Sequence, residues 1–269
     1  MSIEFVEFVI VFIFGTAIGS FLNVLIWRLP RDKKPNGRSH CPNCNHQLSA
    51  LDLIPIFSFF ASHGKCRYCQ KKISWRYPSI EILVGALFGI MFLLTLPATA
   101  VSWLLLALNL FIISVLVVVF AIDFEHYLIL DKVVFPSVAV VLVVNIILDL
   151  MPGGSLSWRG LFVGSLIGGL AGFLPFFLLW VISKGKWIGL GDAKLGIFIG
   201  AVFGFPMVFV SYFLAFFIGT VVAIPLLVLG KKEFSSKLPL GTFLAVSAVV
   251  CLWFGQQILS WYLGLIGLG

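Results

Sequence analysis

Apolar residues run along this chain in long blocks, separated by short polar turns that contain glycine or proline. A membrane-spanning helix needs roughly 20 mostly apolar residues. The predicted spans cover 6–27, 79–96, 102–122, 133–150, 160–182, 193–205, 207–230 and 241–263. The sixth block is short and its boundary at 204–206 is weak, so seven spans are the alternative. The pattern predicts an all-α polytopic membrane protein with about eight transmembrane helices.

The composition supports the same fold class. The 269 residues are 61% hydrophobic and only 11% charged, whereas soluble domains carry roughly a quarter charged residues. A soluble fold would need charged faces between its apolar stripes. The chain has too few charged residues to form such faces, so a soluble fold is excluded. The first apolar block follows Glu4 and Glu7 instead of a basic leader. We therefore expect it to remain as a spanning helix and not to be removed as a signal peptide.

The basic residues predict the orientation. Ten of the 18 Lys and Arg residues lie in the loop 28–77. Loops rich in Lys and Arg face the cytoplasm, and placing this loop there leaves only Arg159 on the outer side. Both termini then face outward. This bias, with some attraction to anionic lipid, explains the net charge of +7 without a nucleic-acid partner.

The cytoplasmic loop contains two Cys-x2-Cys pairs, Cys41/Cys44 and Cys66/Cys69, separated by 21 residues. Two such knuckles supply the four thiolates of a tetrahedral zinc site. Four thiolates leave no open coordination position, so the predicted zinc-ribbon-like site is structural. Two disulfides are the alternative, which a reducing compartment disfavours. Cys251 stands alone and is interpreted as a packing residue.

The rest of this loop carries weaker signals. Lys65 and Arg67 flank the second knuckle and are expected to favour thiolates. Four cysteines complete the metal site, so His46 and His63 are interpreted as solvated loop residues. The apolar stretch 53–60 is too short to span. It is expected either to pack under the metal site or to enter the membrane interface.

Two aspartates stand out among the acids. Asp123 ends the third span, and Asp192 precedes the sixth, directly behind Gly189 and Gly191. The predicted topology places both at the cytoplasmic edge of the bundle. Two close carboxylates share a proton, so one can activate water while the other protonates the substrate. The glycines would let the backbone bend and a substrate strand approach closely. The pair predicts an aspartic protease.

Other interpretations of these acids remain open. Asp192 could instead cap the amino end of the sixth span. Glu125 and Asp131 compete with Asp123 for the role of partner, although Asp123 directly abuts the apolar block.

Several stretches together resemble one family over nearly the whole chain. They are GSFLNVLIWRLP (19–30), the two cysteine knuckles, GKCRYCQKKISWRYPSIE (64–81), DFEHYLILD (123–131), GLGDAKL (189–195) and LPLGTFLA (238–245). This combination is similar to the bacterial type IV prepilin peptidases (prepilin leader peptidase/N-methyltransferase). The Gly-x-Gly-Asp element alone is shared with other intramembrane aspartic proteases.

The chain departs from the family pattern at three positions. Leu130 stands where the family often has proline, and Leu240 and Thr242 replace the usual phenylalanine and proline. The replacements at Leu240 and Thr242 are not expected to touch the two proposed catalytic acids.

The resemblance implies a two-step enzyme of the bacterial cytoplasmic (inner) membrane. It would cut the basic leader from prepilins or pseudopilins of a type IV pilus or type II secretion system, after a glycine and before a residue that is usually phenylalanine. It would then methylate the new amino terminus with S-adenosylmethionine. Asp123 and Asp192 carry over as the catalytic pair. Residues 1–98 carry over to methyl transfer, and 99–269 to a six-helix peptidase bundle.

Glu81 and Gly89 match family positions associated with methyl transfer. For Gly89 the alternative is helix packing, as for the small-residue pair Gly15 and Gly19. Two other functions compete with this one: a peptidase without methyl transfer, and a transporter or scaffold with a zinc-ribbon loop.

Acidic residues are candidates for binding the basic leader, in principle only, because the cytoplasmic face of the chain is itself basic. The candidates are Glu125, Asp131 and Glu233.

Overall fold

The computed structural model describes residues 3–151, 160–229, 238–265 and 267. The described residues form α1 (Ile3–Arg28), α2 (Phe57–Ala61), α3 (Arg76–Thr95), α4 (Ala100–His126), α5 (Asp131–Leu150), α6 (Leu161–Ser183), α7 (Leu190–Phe203), α8 (Met207–Val228) and α9 (Leu240–Leu265). Within them, strand pairing is limited to two isolated bridges, His40 with Gln47 and Lys65 with Lys72. The all-α prediction is confirmed.

Seven of these helices are long and apolar enough to cross a membrane: α1, α3, α4, α5, α6, α8 and α9. Each of the eight predicted spans is helical. The sixth, α7, has 14 residues, which give about 21 Å at 1.5 Å per residue. This is shorter than the roughly 30 Å hydrocarbon core of a bilayer. The predicted turn at 152–154 lies outside the described residues.

The chain divides into two compact units, Met1–Val118 and Val119–Gly269. In the first unit, α1 and α3 pack antiparallel through small residues. A Cβ on Gly15 would lie 2.9 Å from the Cα of Gly85, and a Cβ on Gly19 would lie 2.8 Å from the Cα of Glu81. Such glycines let two backbones approach closely. Gly89 has a packing role as well, because a Cβ there would run into the ring of Phe8.

The second unit contains a glycine-lined contact between α6 and α7. Every fourth residue along this contact is glycine: Gly164, Gly168 and Gly172 on α6, Gly196 and Gly200 on α7, and Gly204 directly after α7. A Cβ on Gly168 would overlap the carbonyl oxygen of Gly200, and one on Gly172 would overlap that of Gly196. The two backbones therefore touch, and the helices run antiparallel in a fixed register.

This register sets the depth of Asp192. Extending the register by one step would bring Asp192 to the level of Phe176, seven residues before α6 ends at Ser183. At 1.5 Å per residue this is about 10 Å inward from the end of α6. The Tyr212 hydroxyl of α8 donates to the Gly172 carbonyl at 2.7 Å and joins α8 to the same contact.

Polar side chains fix the opposite end of this unit. Asp149, near the end of α5, accepts the backbone N–H groups of Leu161 and Phe162 at 2.9 Å each. These are the first two residues of α6, whose N–H groups have no partner within the helix. Asn145 donates to the Ser165 hydroxyl at 2.6 Å within the core. The α5–α6 pair is therefore joined where water is excluded.

Candidate active site and metal centre

Asp123 lies in the last turn of α4 and is 4% exposed. Its Oδ2 accepts the backbone N–H of Thr242 at 2.7 Å and the Thr242 hydroxyl at 3.1 Å. Thr242 is the third residue of α9, so its N–H is one of those that a helix start leaves unpaired. The carboxylate of one helix therefore caps another that is distant in sequence.

Asp192 is the third residue of α7, and its Oδ2 accepts the backbone N–H of Gly189 at 3.1 Å. The helix-cap interpretation of Asp192 is thus correct as geometry. It does not compete with a chemical role, because the bond from Gly189 uses one oxygen of the carboxylate. The same holds for Asp123, where both bonds from Thr242 use Oδ2.

The two acids lie within the range of each other's charge, and Ile129 links their surroundings, because it packs against both Gly191, which precedes Asp192, and Gly241, whose Cβ would lie 3.0 Å from Oδ2 of Asp123. Each carboxylate lies at the amino end of a helix, where the unpaired N–H groups offset negative charge. The structure therefore brings together two acids from α4 and α7 that are 69 positions apart in the sequence.

The competing acids have other neighbours. Both oxygens of Asp131 lie 2.8 Å from Nζ of Lys194, and the Asp131 side chain is 54% exposed. Glu125 lies 3.8 Å from the imidazole of His126. The geometry thus favours Asp123 over either acid as the neighbour of Asp192. Glu233 lies outside the described residues.

Three residues at this site were missed or misjudged from the sequence. The substitution at Thr242 was expected not to touch the acids; this was wrong, because Thr242 supplies two donors to Asp123. Gly241 and Ile129 were not singled out. A Cβ on Gly241 would lie 3.0 Å from Oδ2 of Asp123 and 2.9 Å from Cδ1 of Ile129. The available signals were the matches to family motifs of residues 238–245, which contain Gly241 and Thr242, and of residues 123–131, which contain Ile129.

The two glycines that precede Asp192, Gly189 and Gly191, also lie close to neighbouring side chains. A Cβ on Gly191 would lie 3.1 Å from the Cβ of Ile129, and one on Gly189 would lie 3.3 Å from Oδ2 of Asp192. Both positions therefore exclude larger residues for reasons visible within the protein itself.

The four loop cysteines come together in the first unit. The sulfur atoms of Cys41, Cys44, Cys66 and Cys69 all lie within 4.8 Å of one another, and those of Cys41 and Cys69 are 3.9 Å apart. A tetrahedral zinc ion with Zn–S bonds of about 2.3 Å holds its sulfurs about 3.8 Å apart. The donor set and its spacing therefore fit a zinc ion, and Cys41 and Cys44 form no disulfide with the second pair.

The two knuckles have the same backbone. Asn45 donates its N–H to the Cys41 carbonyl at 3.0 Å, and Gln70 donates to the Cys66 carbonyl at 2.9 Å. Asn45 and Gln70 both have left-handed backbone, at φ of 53° and 59°. Each turn directs its two cysteines towards one point, so the site is formed by local geometry.

The thiols differ in acidity. Burial opposes ionisation of Cys41, but hydrogen bonds from the backbone of Cys44 and Asn43 and from neighbouring thiols lower its pKa to about 7. The backbone bond from Lys71 favours the thiolate of Cys69, yet burial and the other thiols raise its pKa to about 11. A cation in the centre would hold all four as thiolates.

Asp52 connects the second knuckle to the short 3-10 turn Ala50–Leu53. Its carboxylate lies 3.2 Å from Nε of Arg67 and accepts the Tyr68 hydroxyl at 3.1 Å. Arg67 therefore pairs with a carboxylate, which weakens its expected effect on the thiols. The exposed His46 ring stacks on Tyr68 at 3.6 Å.

Glu81 is buried on α3, and its Oε2 accepts the backbone N–H of Ile56 at 2.7 Å. Ile56 has a φ of 63°, which is uncommon for a β-branched residue. This bond fixes the start of α2. Phe59 of α2 is buried, and a Cβ on Gly64 would lie 3.1 Å from its ring, whereas Phe57 and Phe60 are exposed. Part of the apolar stretch therefore packs beside the second knuckle, as one of the two alternatives predicted.

The fold and the two sites define a multi-pass helical membrane protein that combines a paired-aspartate site with a four-cysteine module. Comparison with family models agrees with this class. Residues 13–95 match the bacterial peptidase A24 N-terminal domain, and residues 110–224 match the type IV leader peptidase family.

Curated relatives match over almost the full length. The chain is 32% identical over 287 residues to a prepilin leader peptidase/N-methyltransferase of Aeromonas hydrophila, covering 97% of this chain and 96% of the relative. A relative of the same name from Aeromonas salmonicida (strain A449) is 31% identical over 301 residues, with 98% and 97% covered. One from Bacillus subtilis (strain 168) is 30% identical over 261 residues, with 94% and 97% covered. No solved structure matches the chain.

The chain belongs to the type IV leader peptidase family. It is a multi-pass membrane protein, and its family and apolar helices place it in the inner membrane.

Proposed function

We propose that this protein cleaves the leader peptide of type IV prepilins or pseudopilins and then methylates the new amino terminus. The observation that carries the proposal is the pair Asp123 and Asp192, which come from two helices and interact electrostatically. The names of the relatives, prepilin leader peptidase/N-methyltransferase, support both activities.

The proposed cleavage uses the two carboxylates on opposite sides of one water. One carboxylate takes a proton from the water, whose oxygen attacks the scissile carbonyl carbon. The other donates its proton to the carbonyl oxygen, and a proton then passes to the leaving amine as the C–N bond breaks. Thr242 and Gly189 hold the acids in position through hydrogen bonds.

The proposed orientation places the cysteine loop and both acids on the cytoplasmic side. The concentration of ten Lys and Arg residues in 28–77 supports it. Four other basic residues used to predict the orientation lie outside the described residues: Arg159, Lys231, Lys232 and Lys237.

A prepilin has a basic leader followed by an apolar helix. The pair lies about 10 Å inward from the end of α6, where these two parts of a substrate would meet.

The methyl-transfer step is proposed for residues 1–98, with S-adenosylmethionine as the donor. The four cysteines would hold a structural zinc ion that shapes this loop. Glu81 supports the proposal as a positioning residue, because it fixes the backbone of Ile56 beside the module. Gly89 contributes through the close packing of α1 and α3.

The test is incubation of purified enzyme with a prepilin and S-adenosylmethionine, followed by mass spectrometry of the product. We expect a shortened pilin that carries one additional methyl group. Asp123→Asn and Asp192→Asn should each abolish both changes, since methylation requires the new amino terminus. Glu81→Gln should allow cleavage but reduce methylation.

Three results would contradict the proposal in different ways. A cleaved but unmethylated product would leave a peptidase alone. Cleavage at the normal rate by either aspartate variant would remove the acid pair from the mechanism. Absence of cleavage by the wild-type enzyme on every prepilin tested would favour a transporter or scaffold.

A further inference from the structure

Ile129 fills the space that two glycines leave open beside the acid pair. It lies in the loop 127–130 between α4 and α5 and is half-buried. A Cβ on Gly191 would lie 3.1 Å from its Cβ, and a Cβ on Gly241 would lie 2.9 Å from its Cδ1. These distances are tighter than ordinary van der Waals contact. Ile129 therefore packs between α7 and α9, and the glycines on both helices leave room for its side chain.

The same side chain lies close to Asp123 and against the residue that precedes Asp192. The Cβ position of Gly241 that lies 2.9 Å from Ile129 Cδ1 also lies 3.0 Å from Oδ2 of Asp123. Gly191 directly precedes Asp192 in the chain. The terminal methyl of Ile129 is thus an apolar wall on the Oδ2 side of Asp123, and the Cβ of Ile129 packs against α7 one residue before Asp192.

The loop that carries this wall is held at both ends. At its start, the Tyr127 N–H donates to the Asp123 carbonyl at 2.9 Å. At its end, both oxygens of Asp131 lie 2.8 Å from Nζ of Lys194 on α7. These two contacts hold the backbone of the loop to α4 and α7, so Ile129 extends from a fixed backbone.

We propose that Ile129 determines the specificity of cleavage by limiting the residue on the amino side of the scissile bond to glycine. This rests on the proposed peptidase function. A substrate residue with a Cβ would meet the Ile129 side chain as its carbonyl approached Asp123 and Asp192. Only glycine, which has no Cβ, fits beside Ile129 at this position, in accord with the proposed cut after a glycine. The larger residue on the other side of the bond lies away from Ile129.

The test compares two prepilins that differ only by glycine or alanine immediately before the scissile bond. The quantity measured is the ratio of kcat/KM for the alanine substrate to that for the glycine substrate. Ile129→Val removes the Cδ1 methyl next to Asp123, and Ile129→Ala removes more. One methylene in an apolar pocket changes discrimination by roughly tenfold or more. We expect the ratio to rise about tenfold for Ile129→Val and further for Ile129→Ala.

The matched control is Leu128→Ala, a neighbouring loop residue that is 42% exposed. It should leave the ratio unchanged. The proposal is overturned if both Ile129 variants cleave the glycine substrate and keep the wild-type ratio, or if Leu128→Ala raises the ratio equally. Ile129→Val differs from wild type by one methyl group and tests the proposal even if Ile129→Ala is unstable.

Failure of the proposed peptidase function would give a different result from failure of the proposed role of Ile129. If wild-type enzyme cuts neither prepilin, or if Asp123→Asn cuts the glycine substrate normally, the peptidase assignment itself fails, whatever the ratio for Ile129 variants.

Discussion

The cysteine module and the aspartate pair are built in opposite ways. All four cysteines lie within one loop, and two identical local turns aim them at a common point. The two aspartates come from α4 and α7, and one of them is held by a third helix, α9. The first site depends on local turns. The second depends on how helices from distant parts of the chain pack.

This difference decides which substitutions each site tolerates. A substitution in a site built from local turns should remove the bound ligand, while the remainder of the protein stays active. A site assembled by helix packing should respond to residues that never touch the substrate, such as the glycines that set the distance between helices.

Outside the two acids themselves, the largest effect is expected at the cysteine module. Cys41→Ser together with Cys66→Ser removes one ligand from each knuckle, and bound zinc should fall from one ion per chain to nearly none. Elemental analysis of the purified protein checks this. Because both acids and their hydrogen-bond partners lie in Val119–Gly269, prepilin cleavage should persist in the same sample. Unchanged zinc content would contradict the metal site.

Gly241→Ala should be the most damaging small change at the acid pair outside the acids themselves. The new Cβ would lie 3.0 Å from Oδ2 of Asp123 and 2.9 Å from Ile129, so one of them must shift. A displacement of about 1 Å at a catalytic group can cost about 100-fold in rate. Gly219→Ala is the control, because its Cβ would make only ordinary contact, 3.5 Å from Phe243. Equal cleavage rates for the two variants would show that Gly241 does not position Asp123.

Gly200→Ala tests the helix contact that sets the position of Asp192. The added Cβ would overlap the carbonyl oxygen of Gly168, and overpacking of this kind costs about 2 kcal/mol. Thermal unfolding in detergent should show a lower midpoint. Gly164→Ala, where a Cβ meets nothing within 4 Å, should unfold like wild type. If both variants unfold alike, the glycine contact does not hold α6 and α7 together.

Asp52→Asn should have the smallest effect. Burial opposes ionisation of Asp52, but hydrogen bonds from Ser49 and Tyr68 and the charge of Arg67 hold its pKa below the usual value. A lowered folded pKa means that the carboxylate stabilises the module above the unfolded pKa, and that this is lost as pH falls through the folded pKa. Protease resistance of the loop should drop slightly in the variant at neutral pH. The difference from wild type should disappear in acid; a constant difference would contradict it.

The sequence was sufficient for everything that depends on local pattern. The apolar blocks predicted α1 and α3–α9, although α7 is shorter than a membrane span. The Cys-x2-Cys spacing predicted the cluster of four cysteines, because a knuckle is one short turn. Asp123 and Asp192 were predicted as a pair from their position at the ends of apolar blocks and from the family motifs around them, and their catalytic role stays a prediction. Thr242, Gly241 and Ile129 were not identified, since their roles exist only after α4, α7 and α9 have packed. The six-glycine contact was equally hidden, because its register is a property of two helices together.

Asp123 and Asp192 are proposed to work as a pair on one water. The most direct measurement is the prepilin cleavage rate of Asp123→Asn, Asp192→Asn and the double variant. Residues that act as a unit give non-additive losses, so each single variant should lose about 10,000-fold and the double variant no more than that. Wild-type cleavage by either single variant, or losses that multiply in the double variant, would contradict the pair.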